Sequence, residues 1–255
     1  MKAVLMSIKP LFGFKIAKKD KIWEIRKNKP TLSPPFKVFI YCTCGRKRQL
    51  HISNSYSTTK SPYEQFWVGK PINDICKGRY LGNGKVIGEF VCDRIEEWDS
   101  EYWNDNSVYQ AISRIDYDDE GDYEWVNISS NEDDNPSDNY LCKESCLSFE
   151  DIQRYAGNGR FYAWHITDLV IYDKPMELSE FRILNKEKQK ACAHRERYYT
   201  NPDWTNSAEL PAGFTCDIGT EIDFCRPYKN KSCTCLKPIT RPPQSWCYVE
   251  VSNEV

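Results

Sequence analysis

Lys19-Asp20-Lys21-Ile22-Trp23-Glu24-Ile25-Arg26 is the stretch whose reading decides the fold. Its residues alternate as those of a half-buried strand do. Read as one strand, Lys21, Trp23 and Ile25 share one face and Ile22 and Glu24 the other, so charge stands on both. Lys21, Glu24 and Arg26 fall within about 17 Å of extended chain, at roughly 3.3 Å per residue. Two cations and an anion that close can form one hydrogen-bonded network. They can also hold an anionic, polar ligand such as a nucleotide.

The chain around this stretch has 255 residues, enough for one large or two small domains. Hydrophobic residues make up 40% and aromatics 14%. That mix suits a compact core with polar, loop-rich insertions rather than a disordered chain. The net charge of −2 hides an asymmetry. Residues 1–50 carry thirteen Lys/Arg against two acids, a net of +11, and residues 99–139 carry thirteen acids against Arg114 alone, a net of −12. A basic first segment points to a polyanion partner, and an acidic segment to a solvated, regulatory or protein-docking surface. Both are also compatible with plain soluble surface. Met1–Lys9 is too short and too charged for a secretory signal, and no apolar run approaches the roughly 20 residues of a membrane span. A cytosolic protein with no membrane partner is expected, its 12 cysteines reduced.

The pattern predicts a buried strand over 2–8, a short helix after Pro10, the charged strand, and a strand over 36–42 rich in β-formers. Gly82-Asn83-Gly84 is a turn, and a strand follows over 85–95 in which Gly88 lets the backbone bend or approach a ligand. Ser148 caps a short helix with acids in its first turn and Gly157 as its stop. Strands over 161–172 and 241–250 complete the set. Three segments lack such patterning and read as insertions: about 46–79, 98–144 (acidic) and 182–238 (Cys-rich). No Walker-type loop, Gly-x-Gly-x-x-Gly, His-Glu-x-x-His or Gly-x-Ser-x-Gly occurs.

Lys21, Glu24 and Arg26 match the pattern Gly-x-Lys-x-x-Glu-x-Arg at the right spacings, with Lys19 where that pattern has Gly. On these residues, the strand Trp164–Tyr172 with its Asp173-Lys174-Pro175 exit, and the Arg-Pro-Pro-Gln-Ser-Trp-Cys-Tyr-Val-Glu end, the chain resembles the ASCH family of the PUA-like superfamily. It is most similar to the long, insertion-bearing ASCH proteins of phages and gut bacteria. The resemblance covers residues 1–45, 80–97, 145–181 and 239–251. It implies an α+β fold, a PUA-like β-barrel with short helices and large irregular insertions, in one domain over 1–255.

It also implies a function in binding RNA or a modified nucleobase, with Lys21, Trp23, Glu24, Arg26 and Trp164 facing the ligand. Lys and Arg suit phosphate or base carbonyls, Glu an exocyclic amine, and an aromatic ring a stacked base. The alternative for the charged trio is a structural ion-pair network, and for the Trp residues core packing. Some ASCH proteins are similar to acylcytidine amidases or are ribonucleases. In that reading Lys21, Glu24 and Glu150 are the catalytic candidates. The hydroxyl nucleophile of the amidases is missing, because Glu24 occupies its position. His165 is a further proton carrier or a plain hydrogen-bonded histidine. A third reading makes the acidic insertion a protein-docking segment.

Cys216, Cys225, Cys233 and Cys235, with Cys192 and His194 upstream, offer four ligands for a structural Zn²⁺ in a segment poor in aliphatic residues. Their spacing departs from paired C-x-x-C, and free buried thiols are the alternative.

Overall fold

The computed structural model of the protein describes residues 2–45, 47–53, 66–70, 79–105, 107–117, 123–127, 140–157, 159–184 and 236–250. The chain runs β1 (Lys2–Ile8), α1 (Pro10–Ala17), β2 (Trp23–Arg26), β3 (Phe36–Cys42), β4 (Gln49–Ser53), β5 (Phe66–Gly69), β6 (Arg79–Leu81) and β7 (Lys85–Cys92). It continues with β8 (Ile95–Asp105), β9 (Ser107–Tyr117), β10 (Tyr123–Asn127), α2 (Tyr140–Ser145), α3 (Phe149–Ala156), β11 (Gly159–His165) and β12 (Thr167–Glu177). A 3-10 turn at Leu178–Glu180, β13 (Arg182–Leu184), β14 (Leu236–Pro238) and β15 (Trp246–Glu250) follow.

These strands form a seven-stranded sheet in the order β12-β7-β3-β1-β15-β13-β14, a five-stranded sheet β10-β9-β8-β11-β2, and a three-stranded sheet β5-β4-β6. The α+β expectation of many strands with short helices matches this arrangement. None of the three sheets closes into a ring among the described residues. The acidic stretch supplies strands: β8 pairs antiparallel with both β9 and β11, which carries the five-stranded sheet outward. The strand expected over 85–95 stops at Cys92, and Ile95 begins β8.

Burial follows the period-2 alternation of each strand. In β1, Val4, Met6 and Ile8 enter one core with Val38, Ile40, Leu50, Ile87, Phe90 and Trp164. Ala3 and Leu5 enter another, with Phe39, Tyr41, Phe181 and Val249. Both faces of β1 are covered, which is why its sequence is a continuous apolar run rather than an alternating one. The five-stranded sheet packs Trp23, Ile25, Trp98, Phe161 and Ala163 against Leu141 and Ile152 of α2 and α3. Ser148 caps α3 through its side chain, which accepts from the Asp151 backbone N–H at 3.1 Å. Fully buried Trp23, Trp98 and Trp164 are the largest side chains in these cores. A ring system of this size removes roughly 200 Å² from water, a gross gain of about 5 kcal/mol each.

Candidate functional site

The site is set up by the end of α1. Lys18 is the last residue with helical geometry, and Lys19 follows at φ 63°. The Lys19 N–H donates to Ile16 O at 2.8 Å and the Asp20 N–H to Lys15 O at 3.0 Å. This is the paired bonding of a Schellman stop, whose left-handed residue is usually Gly. Lys19 makes that turn without a glycine. Lys21 therefore lies ahead of β2 rather than within it, and the expected face assignment fails. Instead of sharing a face with Trp23, the Lys21 ammonium reaches the Glu24 side.

Lys21, Glu24 and Arg26 are 2%, 8% and 7% exposed. Lys21 Nζ stands 3.2 Å from Glu24 Oε2, and Arg26 Nη2 stands 2.9 Å from Glu24 Oε1. Lys21 Nζ also donates to the carbonyls of Trp23 and Ser145, each at 2.7 Å. An ammonium has three donors, and these partners take all three. Burial pushes the Lys21 pKa down from the ordinary lysine value, and the Glu24 carboxylate opposes that shift. Arg26 Nη2 additionally donates to Ser7 O at 2.8 Å and Nη1 to Ser245 Oγ at 3.2 Å. Its buried Nε has no partner among the described residues. With both cations protonated, the trio carries one excess positive charge inside the protein.

The strand register decides what surrounds this charge. On β11, Tyr162 pairs with Arg26 and Trp164 with Glu24, so these aromatics share the charged face of β2. Trp164 is fully buried against Phe36 and Trp246, at ring distances of 5.7 and 5.8 Å. Lys29 lies 5.0 Å over the Tyr162 ring and Trp246 stacks edge-on to Tyr248. Tyr162, Trp246 and Tyr248 are only partly buried. Trp23 takes the opposite face of β2, 1% exposed in the second core. Its Nε1 donates to Glu144 Oε2 at 2.9 Å, and its ring contacts His165 and Arg94 at 4.7 and 4.9 Å. His165 Nδ1 pairs with Asp93 Oδ1 at 2.7 Å on that same side.

Glu150 is exposed on α3. Its carboxyl pKa is lowered chiefly by a hydrogen bond with Ser148, and Arg154 adds to the effect. The structure thus brings together Lys21, Glu24, Arg26 and Trp164, and sets Trp23 and Glu150 apart from them. The zinc candidates Cys216, Cys225, Cys233 and Cys235, with Cys192 and His194, lie outside the described residues. Among the described residues no cluster of three or more His, Cys, Asp or Glu is arranged to hold a metal. Cys42 and Cys92 are buried thiols, and burial pushes each pKa up to about 12. Ser7, Ser145 and Ser245 reach the site through a carbonyl or a hydroxyl from distant elements. Spacing carried no signal for them; Tyr162 alone was open to discovery, through its place two residues before Trp164.

No family model matches the chain, and no curated protein does. Solved structures of an ASCH protein from Zymomonas mobilis are similar to it. One is 14% identical, covers 74% of this chain and 79% of that chain, and has a TM-score of 0.36. A serine-to-alanine mutant of the same protein is 13% identical over 96% of this chain and 87% of that chain, with a TM-score of 0.37. A tyrosine-to-phenylalanine mutant is 14% identical over 83% and 92%, with a TM-score of 0.33. Among the described residues no helix is long and apolar enough to cross a membrane.

Proposed function

We propose that this chain is a nucleic-acid-binding module of the ASCH, PUA-like type, whose strands wrap as a barrel-like unit around a site for RNA or a nucleotide on the Arg26 face of β2. The observation that carries this reading is the buried cluster of two basic groups, Lys21 and Arg26, on the one Glu24 carboxylate, on a face shared with Tyr162 and Trp164. A buried charge without its counter-charge is costly. An anionic ligand supplies that counter-charge, and the partly buried Tyr162 and Trp246 offer ring surface to a base. The basic first segment adds long-range attraction for a polyanion.

Within the trio the roles divide. Lys21 spends its donors on the protein and holds Glu24, and Glu24 in turn orients Arg26. Arg26 keeps donors for a ligand, so Lys21 is a positioning residue and Arg26 a contact. The alternative is a hydrolase using Lys21 with Glu24 or Glu150; Lys21 and Glu24 are turned to protein partners and to each other, and Glu150 stands on exposed α3 in a hydrogen bond with Ser148. Binding is therefore the reading we carry. Fluorescence anisotropy with short, labelled single-stranded RNA tests it. Wild type is expected to bind and Arg26→Gln to bind at least tenfold more weakly, the loss of about one charge-assisted hydrogen bond. Equal binding by the two would place the RNA elsewhere.

A further inference from the structure

We infer that residues 27–35, which join β2 to β3, form a strap latched over the Arg26 face of β2, and that RNA reaches Arg26 when the strap lifts; this rests on the nucleic-acid reading above. Glu24, Arg26 and Trp164 are all buried, so a ligand on that face needs part of the protein to move. The strap is anchored on both sides of them. On one side Lys29 Nζ stands 3.0 Å from Glu97 Oε2 and 5.0 Å over the ring of Tyr162, the residue paired with Arg26. On the other side the Thr31 N–H donates to the Tyr248 hydroxyl at 2.7 Å, and the Thr31 and Tyr248 hydroxyls meet at 2.9 Å. Tyr248 stacks edge-on to Trp246, and Trp246 contacts Trp164. The strap thus runs from the five-stranded sheet to the seven-stranded one, with the Arg26 face between its anchors.

These ties are of the kind that local opening breaks first. Lys27, Asn28, Lys29, Thr31 and Ser33 are exposed, and the strap reaches inward only through Pro30 and partly buried Leu32. Residues 30–35 make no backbone–backbone hydrogen bond among the described residues. A surface ion pair and exposed hydrogen bonds, with few buried apolar contacts, mark a segment that opens without global unfolding. Opening strands no carboxylate, since Glu97 keeps Arg160 at 2.8 Å. A ligand shifts such an equilibrium only by contacts that one state offers and the other withholds. RNA gains two in the open state: Arg26, and the Lys29 ammonium drawn from Glu97 to a phosphate. Tyr162 and Tyr248 shed their strap contacts in the same movement, which bares ring surface beside that phosphate.

The test is stopped-flow fluorescence anisotropy with labelled single-stranded RNA on wild type and Tyr248→Phe, which keeps the ring and removes the hydroxyl that holds Thr31. A closed strap scales apparent binding down by the fraction of molecules that are open. Tyr248→Phe is expected to associate at least threefold faster and to keep the wild-type dissociation rate. Hydrogen exchange reads the strap directly: the Thr31 amide is expected to exchange faster once RNA saturates the wild-type protein. Equal association rates, or a Thr31 amide that RNA protects, overturn the inference and leave the nucleic-acid reading standing. If neither protein binds RNA, that reading falls, and the inference falls with it because the strap then gates nothing.

Discussion

At the scale of single residues, the trio makes a prediction about which member the fold can least lose. Removing Glu24 leaves two buried cations facing each other. Removing Lys21 leaves a neutral Glu24–Arg26 pair at 2.9 Å. Glu24→Gln is therefore expected to cost about 3–5 kcal/mol in urea unfolding, the usual penalty for stripping a buried charge of its partner. Lys21→Met is expected to cost less, and the reverse order would contradict the division of roles. Lys19 gives a prediction of the opposite sign. Its φ of 63° strains a side-chain-bearing residue, so Lys19→Gly is expected to stabilise the protein by about 1 kcal/mol. The membership of the trio was legible because its spacing is local. Its geometry was not, because the Schellman stop of α1 shifts Lys21 out of the strand and a period-2 count cannot see a turn that ends at residue 21. The face that Trp23 takes was illegible for a related reason. Proximity to the motif says nothing about face, and only the β2–β11 register shows that Trp164 and not Trp23 stands beside the charge.

At the scale of elements, Gly88 decides how β7 and β12 meet. A Cβ there would collide with the Val170 carbonyl oxygen and press on Ile171 at 3.0 Å. The pairing of these strands shifts register on either side of Val170–Ile171. The close approach read into Gly88 is thus an approach of backbone from β12, not of a ligand. Gly88→Ala is expected to force the strands apart at a cost of about 1–3 kcal/mol, seen as faster amide exchange along β12. The helix over 149–156 was readable from its cap and charges, since both signals are local. The acidic stretch was not. It reads as an insertion without strand patterning, and the hydrogen bonds to β11 that make it sheet come from residues some sixty positions away. Lys29 and Arg160 both reach Glu97 of β8, at 3.0 and 2.8 Å, which ties the acidic strands to the basic part of the chain.

At the scale of the whole molecule, the buried thiols set a limit on alkaline stability. Cys42 and Cys92 titrate near 9 when unfolded and near 12 in the fold, because burial penalises the thiolate. Between those values the folded state binds more protons than the unfolded one, so stability falls as pH rises. Each thiol contributes a loss of about 1.4 kcal/mol by pH 10. Lys21 acts in the other direction, since its lowered pKa relieves a cost of folding as pH rises through it, but it is one group against four, because burial raises the Cys142 and Cys247 thiols as well. Urea midpoints are expected to drop between pH 8.5 and roughly 10.5, and Cys42→Ala with Cys92→Ala is expected to make that drop smaller, with Cys142 and Cys247 supplying the remainder. The strand run 2–8 was readable from apolar patterning, whereas the sheet-rich class with short helices was what the resemblance implied. The division into three sheets was not, because sheet membership depends on pairings such as β1 with β15, which join the two ends of the chain. Those same pairings bring Ser7 and Ser245 to Arg26, so the site is a product of the whole fold. The most direct test of that site is RNA affinity measured from about 50 to 200 mM salt for wild type, Lys21→Met and Arg26→Gln. Each phosphate contact on a single strand contributes about 0.7 to the slope of log affinity against log salt. The account predicts a slope shallower by about 0.7 and at least tenfold weaker binding for Arg26→Gln, with the wild-type slope retained in Lys21→Met. Unchanged affinity and slope in Arg26→Gln, or a shallower slope in Lys21→Met instead, would contradict it.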